Sequence, residues 1–244
     1  MALPKLNALP QYECVLPSTK KTIKYRPFLV KEQKILLMAQ ESGKEKDIVE
    51  AVKQITQNCI LDKDFKVENM STFDIEYFFI YLRAKSINEK VSLSFKCRNI
   101  VNEEYCDHLM EFDHDLLSAT IEKDPSHNKT IFFTKDVGVV MKYPSISLRG
   151  TFSKTTKKKG INDSLNVIID CIDYIFDKDN IYYLNEMKKE QILEYIENIP
   201  KTSFDKIQKF FETMPYVRSN VTHTCQKCGF NHSIPLEGLT SFFE

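Results

Sequence analysis

The chain has 244 residues, and its 34 Lys plus Arg balance 34 Asp plus Glu, so the formal net charge is zero. A hydrophobic content of 42% supplies the core of one large domain or two small ones, while 28% charge with only 6 Gly and 9 Pro excludes collagen-like, linker-like and extensively disordered classes. Neutrality argues against a general nucleic-acid coat, and the longest apolar run, Tyr77 to Leu82, falls far short of the about 20 residues of a membrane span.

The opening segment has no basic-then-apolar signal pattern, so the expectation is a soluble protein of a reducing cytoplasm. Residues 10–28 read as a β-hairpin. Tyr12, Cys14 and Leu16 alternate before a Pro-Ser-Thr-Lys-Lys turn, Ile23 and Tyr25 keep the period after it, and Pro27 closes the second strand. Ile35, Leu36, Met38 and Ala39 predict a helix over 30–42 with Gly43 as its stop. Ile48, Ala51, Val52, Ile55 and Cys59 keep helical spacing and predict another over 45–60. Ser71, with Asp74 three residues on, resembles a capping box that opens a third helix to residue 86. Its segment 76–82 is apolar on nearly all faces and marks it as the buried central helix.

From residue 90 the period becomes two. Val91, Leu93 and Phe95 lead into Cys97, and Met110 and Phe112 alternate with Leu109, Glu111 and Asp113 after Cys106. This predicts a hairpin with both cysteines near its tip. Residues 118–128 read as a loop, 130–134 and 137–143 as strands joined by a Lys-Asp turn, and 151–160 as a polar, basic divider. Helices resume over 161–176, on the stripe Ile161, Leu165, Ile168, Ile169, Ile172 and Phe176, and then over 187–199 and 202–213. The last stretch reads as a strand, a Cys-x-x-Cys turn, a second strand and a short apolar tail. The class expected is α+β: antiparallel hairpins with two helical segments. The organisation expected is a single intertwined domain over 1–244, with a candidate sub-boundary at 151–160.

Seven cysteines, an odd count without a signal segment, disfavour a disulfide scaffold. Cys14, in a predicted strand, and Cys59 and Cys171, on apolar helix faces, read as small core hydrophobes. Cys225 and Cys228 form Cys-x-x-Cys followed by Gly229, and Cys97 and Cys106 form a looser pair with eight residues between them. Two pairs on turns between strands suit a zinc-ribbon-like tetrahedral site, because zinc takes four thiolates and one tight turn delivers two of them. The eight-residue gap fits if 98–105 forms a hairpin tip. The competing readings are a reduced dithiol without metal and a thioredoxin-type redox pair; the latter needs a helix after the motif, where this chain has strand-like residues. His108, His223 and His232 flank the pairs and read as neighbours rather than ligands.

No phosphate-binding, dinucleotide-binding, nucleophile-elbow or metalloprotease motif occurs. Asp113-His114-Asp115 reads as a strand end with a solvated histidine, and Asp177-Lys178-Asp179-Asn180 as an acidic interhelical turn rather than a calcium loop. Lys157, Lys158 and Lys159 read as a solvated loop tip. Nothing points to an enzyme. A neutral, aromatic-rich chain with a stapling metal suits an interaction or assembly protein, with a zinc-ribbon nucleic-acid-binding protein as the alternative and a thiol redox protein as a weaker third.

Several runs carry a family resemblance. The hairpin with Leu16-Pro17-Ser18, the run Lys24 to Glu32, the helix opening Phe73 to Tyr77 and ending Leu82 to Ser86, the segment Val139 to Pro144 and the terminal Cys-x-x-Cys-Gly resemble the baseplate hub proteins of T-even-type contractile-tailed bacteriophages. The resemblance covers most of the chain and is strongest between residues 10 and 100. It implies a virus-encoded hub subunit or hub-assembly factor. Such a protein acts in the host cytoplasm, as part of the finished virion or as a chaperone. Its partners are other baseplate hub and tail proteins, without a small-molecule substrate, nucleic acid or a membrane. No active site is carried over.

Overall fold

The computed structural model describes residues 9–146 and 161–238. In chain order they form β1 (Tyr12–Val15), β2 (Thr22–Tyr25), α1 (Val30–Ser42), α2 (Glu45–Cys59), α3 (Thr72–Ser86), β3 (Lys90–Lys96), β4 (Ile100–Val101), β5 (Glu104–Tyr105), β6 (Leu109–Asp115), β7 (Thr120–Glu122), β8 (Thr130–Phe132), β9 (Gly138–Met141), α4 (Ile161–Asp170), β10 (Ile172–Phe176), β11 (Ile181–Tyr183), α5 (Lys189–Glu197), α6 (Lys201–Glu212), β12 (Tyr216–Thr224) and β13 (Asn231–Glu237). These strands pair antiparallel, and with the helices they make the class α+β. No helix among the described residues is long and apolar enough to cross a membrane. The chain divides into two compact units, one of residues 9–67, 73–122 and 216–238 and one of residues 68–72, 123–146 and 161–215. The basic stretch 151–160 and the tail after residue 238 lie outside the described residues.

In the first unit, α3 is the central helix that its sequence predicts: Ile75, Phe78, Phe79 and Leu82 are fully buried. The β1–β2 turn is pinned to its start, because the Asp74 carboxylate accepts hydrogen bonds from the Ser18 N–H and the Ser18 hydroxyl. Tyr25 meets Phe78 edge-on at 5.1 Å. The α2 stripe of Ala51, Val52, Ile55 and Cys59 is buried as its spacing requires. At the start of α1 the buried Glu32 carboxylate accepts the Leu29 N–H at 2.8 Å and the Arg26 guanidinium at 3.0 Å, and Gly43 ends the helix at φ 65°.

The second unit holds a sheet in the order β11-β10-β9-β8. Its core gathers Val139, Met141, Ile169, Ile172, Ile196, Ile207 and Phe210 from the sheet and from α4, α5 and α6. Gly138 lets β9 approach closely: a Cβ there would stand 2.4 Å from the Ile131 carbonyl and 2.7 Å from the Phe176 ring.

Three expectations are corrected. The helix predicted over 161–176 stops at Asp170, and Ile172–Phe176 is strand β10, paired with β9 around a bulge between Ile172 and Tyr174. Ile168, Ile172 and Phe176 stand at helical spacing, but they come from two different elements, with Ile168 and Ile172 buried and Phe176 half-buried, and β-branched and aromatic residues favour the strand. Asp177–Asn180 accordingly turns between strands, not helices; the Asp177 carboxylate accepts the Asp179 and Asn180 N–H groups at 2.8 Å. The loop expected over 118–128 contains β7, which pairs with β12.

Candidate metal centre

The two cysteine hairpins are built alike. β3 and β6 form a ladder whose last pair is Lys96 with Leu109, and β12 and β13 one whose last pair is Thr224 with Asn231. In each, the first cysteine follows the outgoing strand at once, and the returning strand begins three residues after the second. The backbone bonds that close the turns also correspond. Cys97 N–H donates to the His108 carbonyl at 2.8 Å and Asp107 N–H to the Cys97 carbonyl at 3.0 Å; Cys225 N–H donates to the Phe230 carbonyl at 2.8 Å and Gly229 N–H to the Cys225 carbonyl at 2.9 Å. The residue after the second cysteine is left-handed in both, Asp107 at φ 48° and Gly229 at φ 72°. Eight intervening residues therefore do not spoil the first knuckle, because 98–105 loops out as the small β4–β5 hairpin that the gap requires.

The hairpins bring the four predicted ligands together. The sulfurs of Cys97, Cys106, Cys225 and Cys228 all lie within 4.8 Å of one another. Cys97 and Cys228 Sγ are 3.6 Å apart, and Cys106 and Cys225 Sγ 3.8 Å. These are not disulfides, whose sulfurs sit about 2.0 Å apart. A tetrahedron of thiolates at about 2.3 Å from zinc has edges of about 3.8 Å. The donor set and spacing therefore fit a tetrahedral metal ion.

Cys97, Cys106 and Cys225 are buried and Cys228 is half-buried, with Phe95 and Met110 packed against the group. Burial pushes the Cys97 thiol up to about 12. The Phe230 N–H aimed at Cys228 brings its thiol down to about 6, and the Asn99 side-chain amide, which donates to the same sulfur at 3.6 Å, works in that direction. A cation among the sulfurs would hold all four as thiolates.

The neighbouring histidines take separate places. His232 Nε2 lies 3.1 Å from Cys97 Sγ, outside the four-sulfur group, and His223 stacks on Phe112 at 4.8 Å. His108 supplies a backbone carbonyl. Sequence reasoning missed Asn99 and the Lys227 ammonium, which donates to the Cys106 carbonyl at 3.0 Å; nothing in the spacing sets either apart from other polar turn residues. His114 is corrected. It is buried, not solvated, and shares hydrogen bonds with Ser219 Oγ at 2.9 Å and Ser118 Oγ at 3.4 Å. The other three cysteines, Cys14, Cys59 and Cys171, are buried and free, with burial pushing each thiol up to about 12, as inert core residues require.

A family model described as T4 bacteriophage base plate protein matches residues 9–244. No curated protein and no solved structure matches the chain.

Proposed function

The chain belongs to the T4 bacteriophage base plate protein family, and from that membership we propose that it is a non-enzymatic structural or assembly protein of the tail baseplate hub. The observation that carries this reading is a match that begins at residue 9 and runs to residue 244, so both compact units fall within one baseplate family. Its partners are other hub and tail proteins, and it works in the host cytoplasm during assembly and in the virion baseplate. The zinc-ribbon alternative, a nucleic-acid binder, has no observation of its own in its favour, and net neutrality opposes it.

The same reading gives Cys97, Cys106, Cys225 and Cys228 a structural zinc ion. Four protein thiolates close a tetrahedral site and leave no position for water or substrate, which supports a staple rather than a catalyst. Co-expression of the full chain with the baseplate proteins of the same phage tests the function. Co-purification with hub components, and tails that stall before hub completion when the gene is deleted, are the expected results. A monomer that binds none of them, and whose deletion leaves hubs intact, would contradict it.

A further inference from the structure

The two knuckles share their closing hydrogen bonds but differ in what lies between the cysteines. Gln226 and Lys227 suffice in the second, whereas Arg98 to Tyr105 fill the first, eight residues against two. The extra residues are not needed to present sulfurs. They form the β4–β5 ribbon, which sets Ile100 across from Tyr105 and Val101 across from Glu104. Asn102 and Glu103 make its turn at φ 53° and 71°, as a two-residue hairpin turn requires. A ribbon this short has no core of its own. Its root is fixed between two of the site's cysteines, where Cys106 N–H donates to the Asn99 carbonyl at 2.8 Å. Its apolar side chains nevertheless stand in water: Ile100 is 60% exposed, Val101 42% and Tyr105 64%.

We infer that the β4–β5 ribbon is a docking finger for another protein, one whose surface offers an apolar cleft with a basic rim. Ile100 and Tyr105 are direct cross-strand neighbours and form the apolar anchor, a short aliphatic beside a large amphipathic ring. Glu103 and Glu104 crown the tip with two exposed carboxylates, which asks for cations on the partner and repels a phosphate backbone. The Glu103 side chain is presented from a left-handed position that glycine would occupy more easily. Clamping the root through Cys97 and Cys106 holds the finger in one pose, so less ordering remains to be done on binding. The choice of partners to test rests on the baseplate reading; the geometry of the finger does not.

The test uses the full chain, wild type and two double variants, Ile100→Asp with Tyr105→Asp and Glu103→Lys with Glu104→Lys. Each is titrated against the purified baseplate proteins of the same phage, one at a time. Zinc content and thermal midpoint are checked first, and the charge-reversed variant keeps the test open if the apolar one fails to fold. The expected result is that the wild type binds one of these proteins and that both variants bind it about tenfold more weakly or worse. The charge-reversal deficit should shrink as salt is raised. Binding by the wild type and both variants with equal affinity would overturn the finger and leave the baseplate reading standing. A wild type that binds none of the baseplate proteins would overturn both. A self-association that both variants lose would make a second copy the occupant and overturn the inference in favour of that copy.

Discussion

At the scale of single residues, a buried carboxylate and single glycines set local geometry. Burial opposes ionisation of Glu32, but the Arg26 guanidinium and the Leu29 N–H outweigh it and hold its carboxyl below the ordinary carboxylate value. A depressed folded value adds stability that is full above the unfolded value of 4.5 and is lost as pH falls through the folded one. Glu32→Gln should therefore cost about 1–3 kcal/mol at neutral pH, since it removes the carboxylate partner of the half-buried Arg26 guanidinium, and should flatten the acid limb of the unfolding profile. Equal acid limbs in the two proteins would refute the assignment. Gly229 and Gly138 separate dihedral from space. Nothing lies within 4 Å of a Cβ at Gly229, so Gly229→Ala should cost only the about 1 kcal/mol of a left-handed alanine. Gly138→Ala drives a methyl into a carbonyl, and denaturant titration should read a loss of about 1–3 kcal/mol.

At the scale of elements, legibility followed periodicity. The β1–β2 hairpin and α2 stood in the sequence because each has one apolar stripe at an unambiguous period, α1 because Gly43 stops it, and α3 because its segment 76–82 is apolar on nearly all faces. β10 did not, because Ile168, Ile172 and Phe176 satisfy a helical stripe while belonging to a helix and a strand that meet the same core. Three-residue β7 has too few side chains to show any period. That the four cysteines belong together was legible from their pairing alone. The correspondence of the two knuckles was not, since it lies in backbone bonds that leave no mark on side-chain pattern. Nor were the polar clusters. His127 sits buried between Thr213 Oγ1 at 3.0 Å and the Tyr143 hydroxyl at 3.1 Å. Burial, with Lys123 and Lys129 adding to it and Asp124 opposing, pushes its pKa below the ordinary imidazole value. The neutral ring's contribution is complete above 6.5 and is lost as pH falls through the folded value. Unfolding of the second unit should therefore ease as the solution is acidified below that point, and His127→Gln should remove most of this slope. A slope unchanged in the variant would place the titration elsewhere.

At the scale of the whole molecule, the candidate metal centre joins points far apart in the chain. Cys97 and Cys228 are 131 residues apart in sequence, and a link between such distant points removes much of the unfolded chain's freedom. Both hairpins lie in the first unit, so chelation should lower the unfolding midpoint of that unit by more than that of the second and split the melting transition. A single transition that shifts as one would show the units to be thermodynamically inseparable. The most direct measurement is the zinc content of the purified, reduced chain by elemental mass spectrometry, with Cys97→Ser and Cys225→Ser alongside. The account predicts about one zinc per chain in the wild type and loss of the metal in both variants, because each removes one thiolate from a shared four-thiolate site. A well-folded wild type that carries no zinc, or a variant that keeps a full complement, would contradict it.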